Sequence, residues 1–481
     1  MTDHAVVIAG AGPTGMMLGA ELTLAGVDAV IVERRATPEL DGSRAGGLYP
    51  RSLEVLDQRG VADRFVTDGT KYPFLGFALI MMDVTDFPTR HNYTLGLWQS
   101  DIERILADWV TELGVPIIRQ REVMGFQQDQ DGVDVELSEG GGLRSQYLVG
   151  CDGGRSAVRK AAGIDFVGVE ATTSWMVAEV ELDEEPEFGV RRDSAGTHAM
   201  NRRLEGEPIR VVITERELHL GTEPGLEDLR EALIGVYGTD FGLRRAGWIS
   251  RFTDMARQAQ PYRRSRVLLA GDAAHVHSPH GGQGLNTGLQ DAVNLGWKLA
   301  RVVSGASPDA LLDTYEQERH PVAARVLQNT LAQVALSAND ARHEAVRDML
   351  RGLLAMDEPR RHTVGMLSGL DITYDFGEGH PVVGRRMPDL DLFTGDGPSR
   401  VYDFMHDGQP LLLSFTGGAA DVPVRVVEAQ CAEVWELPVI GEVDAPEAVL
   451  VRPDGHVAWA GSPDDPALSR VIEQWFGESQ I

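Results

Sequence analysis

The chain has 481 residues, too many for one compact core, and two or three domains are expected at roughly 150 residues each. A hydrophobic fraction of 43% and a charged fraction of 24% are ordinary for a globular enzyme. The net charge of −29 sets the surface against nucleic-acid phosphates and anionic membranes, so an anionic ligand must find a local basic patch or a helix N-terminus.

Residues 4–9 (HAVVIA) read as a short buried strand. It is far too short to cross a membrane and shows no signal-peptide pattern, so a soluble cytoplasmic protein is expected. Gly10-Ala11-Gly12-Pro13-Thr14-Gly15 then opens a helix that runs to about Ala25 and stops at Gly26. Val27–Val32 is a second buried strand ending in Glu33. From about Thr172 to Arg264 the pattern changes to alternating segments such as Trp175–Leu182 and Ile209–Glu215, as in an antiparallel sheet. A compact apolar strand returns at Val267–Ala270, ending in Gly271-Asp272. Helical spacing of Leu289, Ala292, Val293 and Leu299 predicts a helix over Asn286–Val303, with more helix around 308–356. After about Arg386 the chain turns rich in Pro, Asp and Gly, reading as a linker into a third domain. There Pro410–Phe415, Ala448–Val451 and Val457–Ala460 are predicted strands, the last two joined by the turn Pro453-Asp454-Gly455.

Three motifs carry chemistry. Gly10-x-Gly12-x-x-Gly15, followed by Glu33 at the end of the next strand, has the register of a dinucleotide fingerprint. Gly10 allows the tight turn, Gly12 lets a pyrophosphate approach the backbone, and Gly15 lets helix and strand pack closely. The helix start offers N–H groups to the phosphates, and Glu33 can accept bonds from ribose hydroxyls. The second motif is Leu148-Val149-Gly150-Cys151-Asp152-Gly153-Gly154-Arg155-Ser156-Ala157-Val158-Arg159. The third is Gly271-Asp272-Ala273-Ala274-His275 with Pro279-His280-Gly281-Gly282-Gln283-Gly284-Leu285-Asn286, where a glycine run delivers backbone N–H groups at the start of a long helix. Such a helix end stabilises negative charge on a reduced ring.

In this order the motifs resemble the class A flavoprotein monooxygenases of the p-hydroxybenzoate hydroxylase group, and the likeness extends through Arg44, Pro50–Leu56 and Gln99 over nearly the whole chain. It is nearest to the aromatic polyketide hydroxylases and rifampicin monooxygenases. The resemblance implies an α/β fold: a Rossmann-like FAD-binding domain over 1–71, 98–171 and 265–386, a β-sheet substrate domain over 72–97 and 172–264, and a C-terminal thioredoxin-like domain without C-x-x-C over 387–481. It assigns Gly10, Gly12, Pro13, Thr14, Gly15, Glu33 and Arg34 to FAD, with Arg44 and Gln99 near the pyrophosphate and Val123 and Cys151 near adenine. Asp152, Gly153 and Asp272 are assigned to the cofactor as well, and Pro279, Gly282, Gly284, Leu285 and Asn286 to the flavin-ring end.

The implied activity is hydroxylation of an aromatic polyketide or similar phenolic or quinonoid compound through a flavin C4a-hydroperoxide. NADPH or NADH would be a transient reductant and O2 the co-substrate, in a monomer or homodimer. Baeyer–Villiger insertion and antibiotic inactivation are alternatives on the same flavin. An FAD dehydrogenase without oxygen insertion is a second class, and a flavin-bearing binding protein a third.

The candidates for a direct part in the chemistry are His280 and Arg44. His280 departs from the small residue or Thr that the family commonly carries between this Pro and Gly-Gly, and either faces substrate or faces solvent. His275 and His277 are expected in a structural loop, since no Cys or carboxylate cluster completes a metal set. Two cysteines, Cys151 and Cys431, make no disulfide framework and point to a reducing compartment. The apolar stretch Tyr72–Met82, with Phe74 and Phe77, and Trp98 are expected to line the substrate cavity.

Overall fold

The computed structural model describes residues 2–40, 42–43, 45–202, 207–221, 223–417 and 422–477. Arg44 lies outside them. The chain begins with β1 (His4–Ala9), α1 (Pro13–Leu24) and β2 (Ala29–Glu33), followed by α2 (Pro50–Asp57), α3 (Gln99–Glu112) and β3 (Gly142–Gly150). A second region holds β4 (Ser174–Glu181), β5 (Ile209–Thr214) and β6 (Arg245–Thr253). The chain returns with β7 (Val267–Leu269), α4 (Gln283–Val303) and α5 (Asp313–Ala335), and the last region holds β8 (Leu411–Ser414), β9 (Ala448–Val451) and β10 (Val457–Gly461).

The first sheet runs in the order 263–264, β7, β3, β1, β2, 117–119, with β7, β3, β1, β2 and 117–119 parallel. Both faces are covered, which explains why β1 and β2 are continuous apolar runs. Two glycines make this packing possible. A Cβ on Gly15 would stand 2.0 Å from the Gly10 carbonyl oxygen, so α1 presses directly on the turn after β1. Along the same helix, Thr14 fills the space that a Cβ on Gly288 of α4 would need (2.3 Å to its Oγ1), so α1 and α4 lie side by side.

The second sheet is antiparallel, in the order 189–192, 197–201, β5, β4, β6. Period-2 alternation splits its faces. Ala178 and Val180 of β4, with Val211 and Ile213 of β5, pack under a helix over Leu226–Tyr237. Trp175, Val177 and Glu179 face the opposite way, beside Phe252, Ser250 and Trp248 of β6.

The C-terminal sheet runs 397–400, 391–394, 425–430, β8, β9, β10. Its helix over Pro466–Phe476 buries Leu468, Ile472, Trp475 and Phe476 against Leu412, Leu450 and Trp297 of α4. The turn between β9 and β10 then pushes into the first region. There Arg51 donates to the Asp454 carbonyl oxygen (2.8 Å), Arg59 to that of Pro453 (2.7 Å), and Asn294 to the Asp454 carboxylate (3.0 Å). Arg452 is bidentate on Glu318 of α5 (2.8 and 2.7 Å) and also pairs with Asp454, while Lys298 reaches Glu318 at 2.9 Å. Arg59 is itself bidentate on Glu21 of α1 (2.7 and 2.8 Å).

Several element expectations are corrected. β2 begins at Ala29, because Val27 N–H still closes the turn onto Leu22 O (2.9 Å). α4 begins at Gln283, three residues ahead of the expected start, because the glycines at 281 and 282 already turn the backbone. The helices over Leu226–Tyr237 and Asp357–Ser368 were not anticipated. Among the described residues, no helix is long and apolar enough to cross a membrane.

Candidate cofactor and substrate site

α1 starts at Gly12 with Pro13 in its first turn and no side chain capping its N–H groups. Nothing lies within 4 Å of where a Cβ on Gly12 would stand, so open space faces the helix start. Gly10 is held at φ +103° against the Cys151 carbonyl oxygen, 2.5 Å from a Cβ placed there. Cys151 therefore sits beneath the glycine turn, its N–H bonded to Ala9 O (2.8 Å). Burial pushes its thiol up, out of the reactive range.

At the end of β2, Glu33 is buried and accepts from the Ala11 N–H (2.7 Å) and the Arg35 N–H (2.8 Å). Burial alone would raise this carboxyl; the Arg35 and Ala11 N–H groups and the Arg35 guanidinium outweigh it and hold the carboxyl below its ordinary range. Arg34, by contrast, is exposed at the strand end, whereas Arg35 turns back to Ala11 O (3.1 Å) and pairs with Glu103 at 2.9 Å. Arg119 lies directly across from Glu33. One Nη of Arg35 and one of Arg119 are buried without a partner. Val123, buried, follows two residues after Arg121, whose N–H bonds Glu33 O (3.1 Å). Gln99, at the start of α3, accepts from the Ala45 N–H (3.2 Å) and donates to Glu103 (2.8 Å), so it ties down the chain next to Arg44.

Asp152 caps a short turn of helix through the N–H groups of Ala157 (2.7 Å) and Val158 (3.1 Å), and its other oxygen is buried and unpartnered. Gly153 takes φ +79° in that turn. Asp272 is exposed in the tight turn Gly271–Ala273. Gly281 (φ +78°) and Gly282 (φ +61°) lead into α4, again with no side-chain cap. The Tyr49 hydroxyl donates to Gly281 O (2.5 Å). Asn286 faces the fold: its oxygen accepts from Tyr49 N–H (2.8 Å) and its amide donates to Gly282 O (2.9 Å). Leu285 packs against the main core, Gly284 lies beside His277, and Pro279 is exposed.

Two uncapped helix starts, an open cradle at Gly12 and unpartnered N–H groups on Arg35 and Arg119 suit an anionic ligand, and the unpartnered oxygen of Asp152 suits a hydroxyl or N–H donor on it. An adenine dinucleotide carrying a ring at the far end fits that donor set.

The three histidines of the loop do not converge on one point. His275 is buried on Asp291 (2.6 Å), His277 Nδ1 meets Ser278 O (2.7 Å), and His280 Nδ1 meets Ser278 Oγ (2.5 Å). The His280 ring stands edge-on to Trp175 of β4 at 5.0 Å, and Trp175 stacks flat on Phe252 at 5.3 Å. Burial brings the His280 pKa down to about 4 against the pull of Asp254, so the ring is neutral at physiological pH. Trp98 lies under the Arg210 guanidinium (4.9 Å), and Arg210 donates to Ser43 O while Glu179 accepts from Ser43 N–H (3.3 Å). Phe77 and Tyr49 pack against the same apolar cluster, whereas Phe74 is exposed beside Tyr72.

The sequence reading missed Arg35, Tyr49, Arg119, Trp175, Arg210 and Gln333. Gln333, on α5, accepts from the Ala78 N–H (3.3 Å) and places a buried, unpartnered Nε2 over Gly281. Arg210 carried a signal, a charge within an alternating apolar strand; Arg119 and Gln333 carried none, because only the tertiary fold brings them here.

Residues 3–330 match the FAD binding domain family model and residues 380–479 the model for the aromatic-ring hydroxylase C-terminal domain. The chain is 42% identical to the rifampicin monooxygenase of Streptomyces venezuelae, over 98% of each chain. Among solved structures, anhydrotetracycline hydroxylase from Streptomyces rimosus matches with a TM-score of 0.90 and 40% identity over 99% of each chain. An aromatic hydroxylase from angucycline biosynthesis matches with a TM-score of 0.92 and 37% identity over 100% of each chain. The chain belongs to the FAD-binding aromatic-ring hydroxylases and is an FAD-dependent aromatic-ring monooxygenase.

Proposed function

We propose that the enzyme hydroxylates a polycyclic phenolic or quinonoid compound of the aromatic-polyketide type, with NADPH or NADH as visiting reductant and O2 as co-substrate. One oxygen atom enters the ring C–H bond; the other leaves as water with two electrons from the nicotinamide. FAD, when bound, accepts the hydride and activates O2. The observation carrying this reading is the aromatic wall of Trp175 and Phe252, with neutral His280 between it and the uncapped start of α4. A flat polycycle gains from offset stacking on such a wall. The neutral imidazole can take a proton from a phenol as the ring becomes electron-rich. Gln333 Nε2 supplies a second polar contact on the side of the β-hairpin turn at Ala78.

The names of the similar proteins, a rifampicin monooxygenase and two hydroxylases of tetracycline and angucycline type, support this substrate class. The first of them also favours a second reading, modification of a finished antibiotic. The residue assignments to FAD and the three-domain partition made from the sequence belong to the same proposal. So does a thioredoxin-like reading of the C-terminal sheet, with Cys431 alone and no C-x-x-C.

The test is a screen of polycyclic phenols and quinones for stimulated NADPH oxidation, followed by product mass with labelled O2. Stimulation with one labelled oxygen retained is expected; reduction of FAD without incorporation would identify a dehydrogenase. With the substrate in hand, His280→Ala should lower kcat at least about tenfold. A value within about twofold of wild type would remove His280 from the chemistry.

A further inference from the structure

α4 is held at both ends of its length. At its start lie the amides that face the cofactor. Farther along, Asp291, Asn294 and Lys298 line one face and are all buried. Asn294 donates to Asp454 of the C-terminal turn and to Glu318, and Lys298 donates to Asn294 Oδ1 (2.9 Å). Asp291, one turn nearer the start, accepts from the Gly271 N–H (3.3 Å), which opens the turn carrying Asp272, and from Arg319 Nε (2.7 Å). Arg319 also donates to Thr287 O (3.3 Å) in the first turns of α4 and to the Tyr374 hydroxyl (3.1 Å). The Tyr374 ring lies 4.3 Å from that of His456, in the same C-terminal turn as Asp454.

Two routes therefore lead from the β9–β10 turn to the cofactor site. One runs along α4 through Asn294; the other crosses Tyr374, Arg319 and Asp291 to the Gly271–Asp272 turn. A helix transmits an axial shift almost undiminished, because its hydrogen bonds are short and aligned. Amides that must meet a ligand tolerate only about 0.5 Å of displacement.

We propose that the Pro453–His456 turn of the C-terminal domain is a positioning element for FAD, setting where the α4 amides and the Gly271–Asp272 turn stand. The C-terminal domain thus contributes to cofactor affinity without touching the cofactor. This rests on the FAD site described above.

FAD titration of the full-length apoprotein, followed by flavin fluorescence and the visible flavin spectrum, is the test. Asp454→Asn keeps the size of the side chain but removes its charge, and should raise the FAD Kd at least about tenfold, or 1.4 kcal/mol. Tyr374→Phe deletes one hydroxyl from the second route and should raise it about threefold. Leu413→Ala, in the C-terminal core away from α4, should lower the melting temperature and leave the FAD Kd within about twofold. An unchanged Kd in Asp454→Asn, or an equal loss in Leu413→Ala, overturns the proposal. If Asp454→Asn does not fold, Tyr374→Phe decides alone, an unchanged Kd overturning it. Wild-type protein that fails to bind FAD would instead refute the site reading beneath it.

Discussion

The surroundings of the Gly10–Gly15 turn and those of the middle of α4 are built from the same residue types and arranged in different ways. Beside the glycine turn, one Nη each of Arg35 and Arg119 and one oxygen of Asp152 are buried without a hydrogen-bond partner, although Arg35 pairs with Glu33 and Glu103 and Asp152 accepts from Ala157 and Val158. Around the middle of α4, Arg452, Lys298, Asp454 and Glu318 form a balanced set of two positive and two negative charges, all in contact. Atoms are left over there too: the Gln58 amide, the His456 ring, the Trp297 indole, and Nε of Arg386, whose backbone bridges to His456 and whose guanidinium pairs with Glu54. The open space at Gly12 beside the first set points to a ligand, whereas the interlocked charges of the second set make a closed joint.

The contrast breaks most visibly at the joint. Glu318→Gln leaves Arg452 and Lys298 with one carboxylate between them and should destabilise the protein by about 3–5 kcal/mol, read by chemical denaturation. Neutral His456 gives the next largest effect. Its pKa is brought down to about 4 by burial, against Asp454, from an ordinary 6.5. As pH falls, the unfolded chain takes up this proton first. The stability in question is intact above pH 6.5 and drains away toward pH 4, by at most about 3 kcal/mol. His456→Gln should flatten that part of the stability profile between pH 7 and 5; an unchanged slope would place the proton elsewhere. The smallest expected effect on the fold comes from the other end. Gly12→Ala meets no atom within 4 Å, so apoprotein stability should stay within about 0.5 kcal/mol of wild type. The same methyl stands where the diphosphate would approach, and FAD affinity should drop about tenfold to a hundredfold. Unaltered affinity would show that the open space at Gly12 is not the diphosphate cradle.

The parts of this contrast differ in how far the sequence reveals them. The Gly10–Gly15 turn, β1, β2 and Glu33 follow from local pattern, because the fingerprint is a contiguous device. Pro453-Asp454-Gly455 is legible as a turn for the same reason. Its destination is not, since Arg51 and Arg59 lie roughly 400 positions away and nothing in their neighbourhood announces a partner. Gln99 is legible through the family likeness, yet what it grips, the backbone at Ala45, is visible only in three dimensions. The helix over Leu226–Tyr237 was readable and passed over: Leu226, Leu229, Leu233 and Val236 recur at helical spacing, but the surrounding alternation favoured sheet throughout.

The long separation between Arg51 and the backbone oxygen of Asp454, 403 positions along the chain, sets an order of events during synthesis. At about 5–20 residues per second, the ribosome needs roughly 20–80 s to deliver that oxygen after Arg51 has emerged. Through that interval the joint stays unsealed, and the nascent segment around Arg51 waits for the turn at Asp454 to emerge.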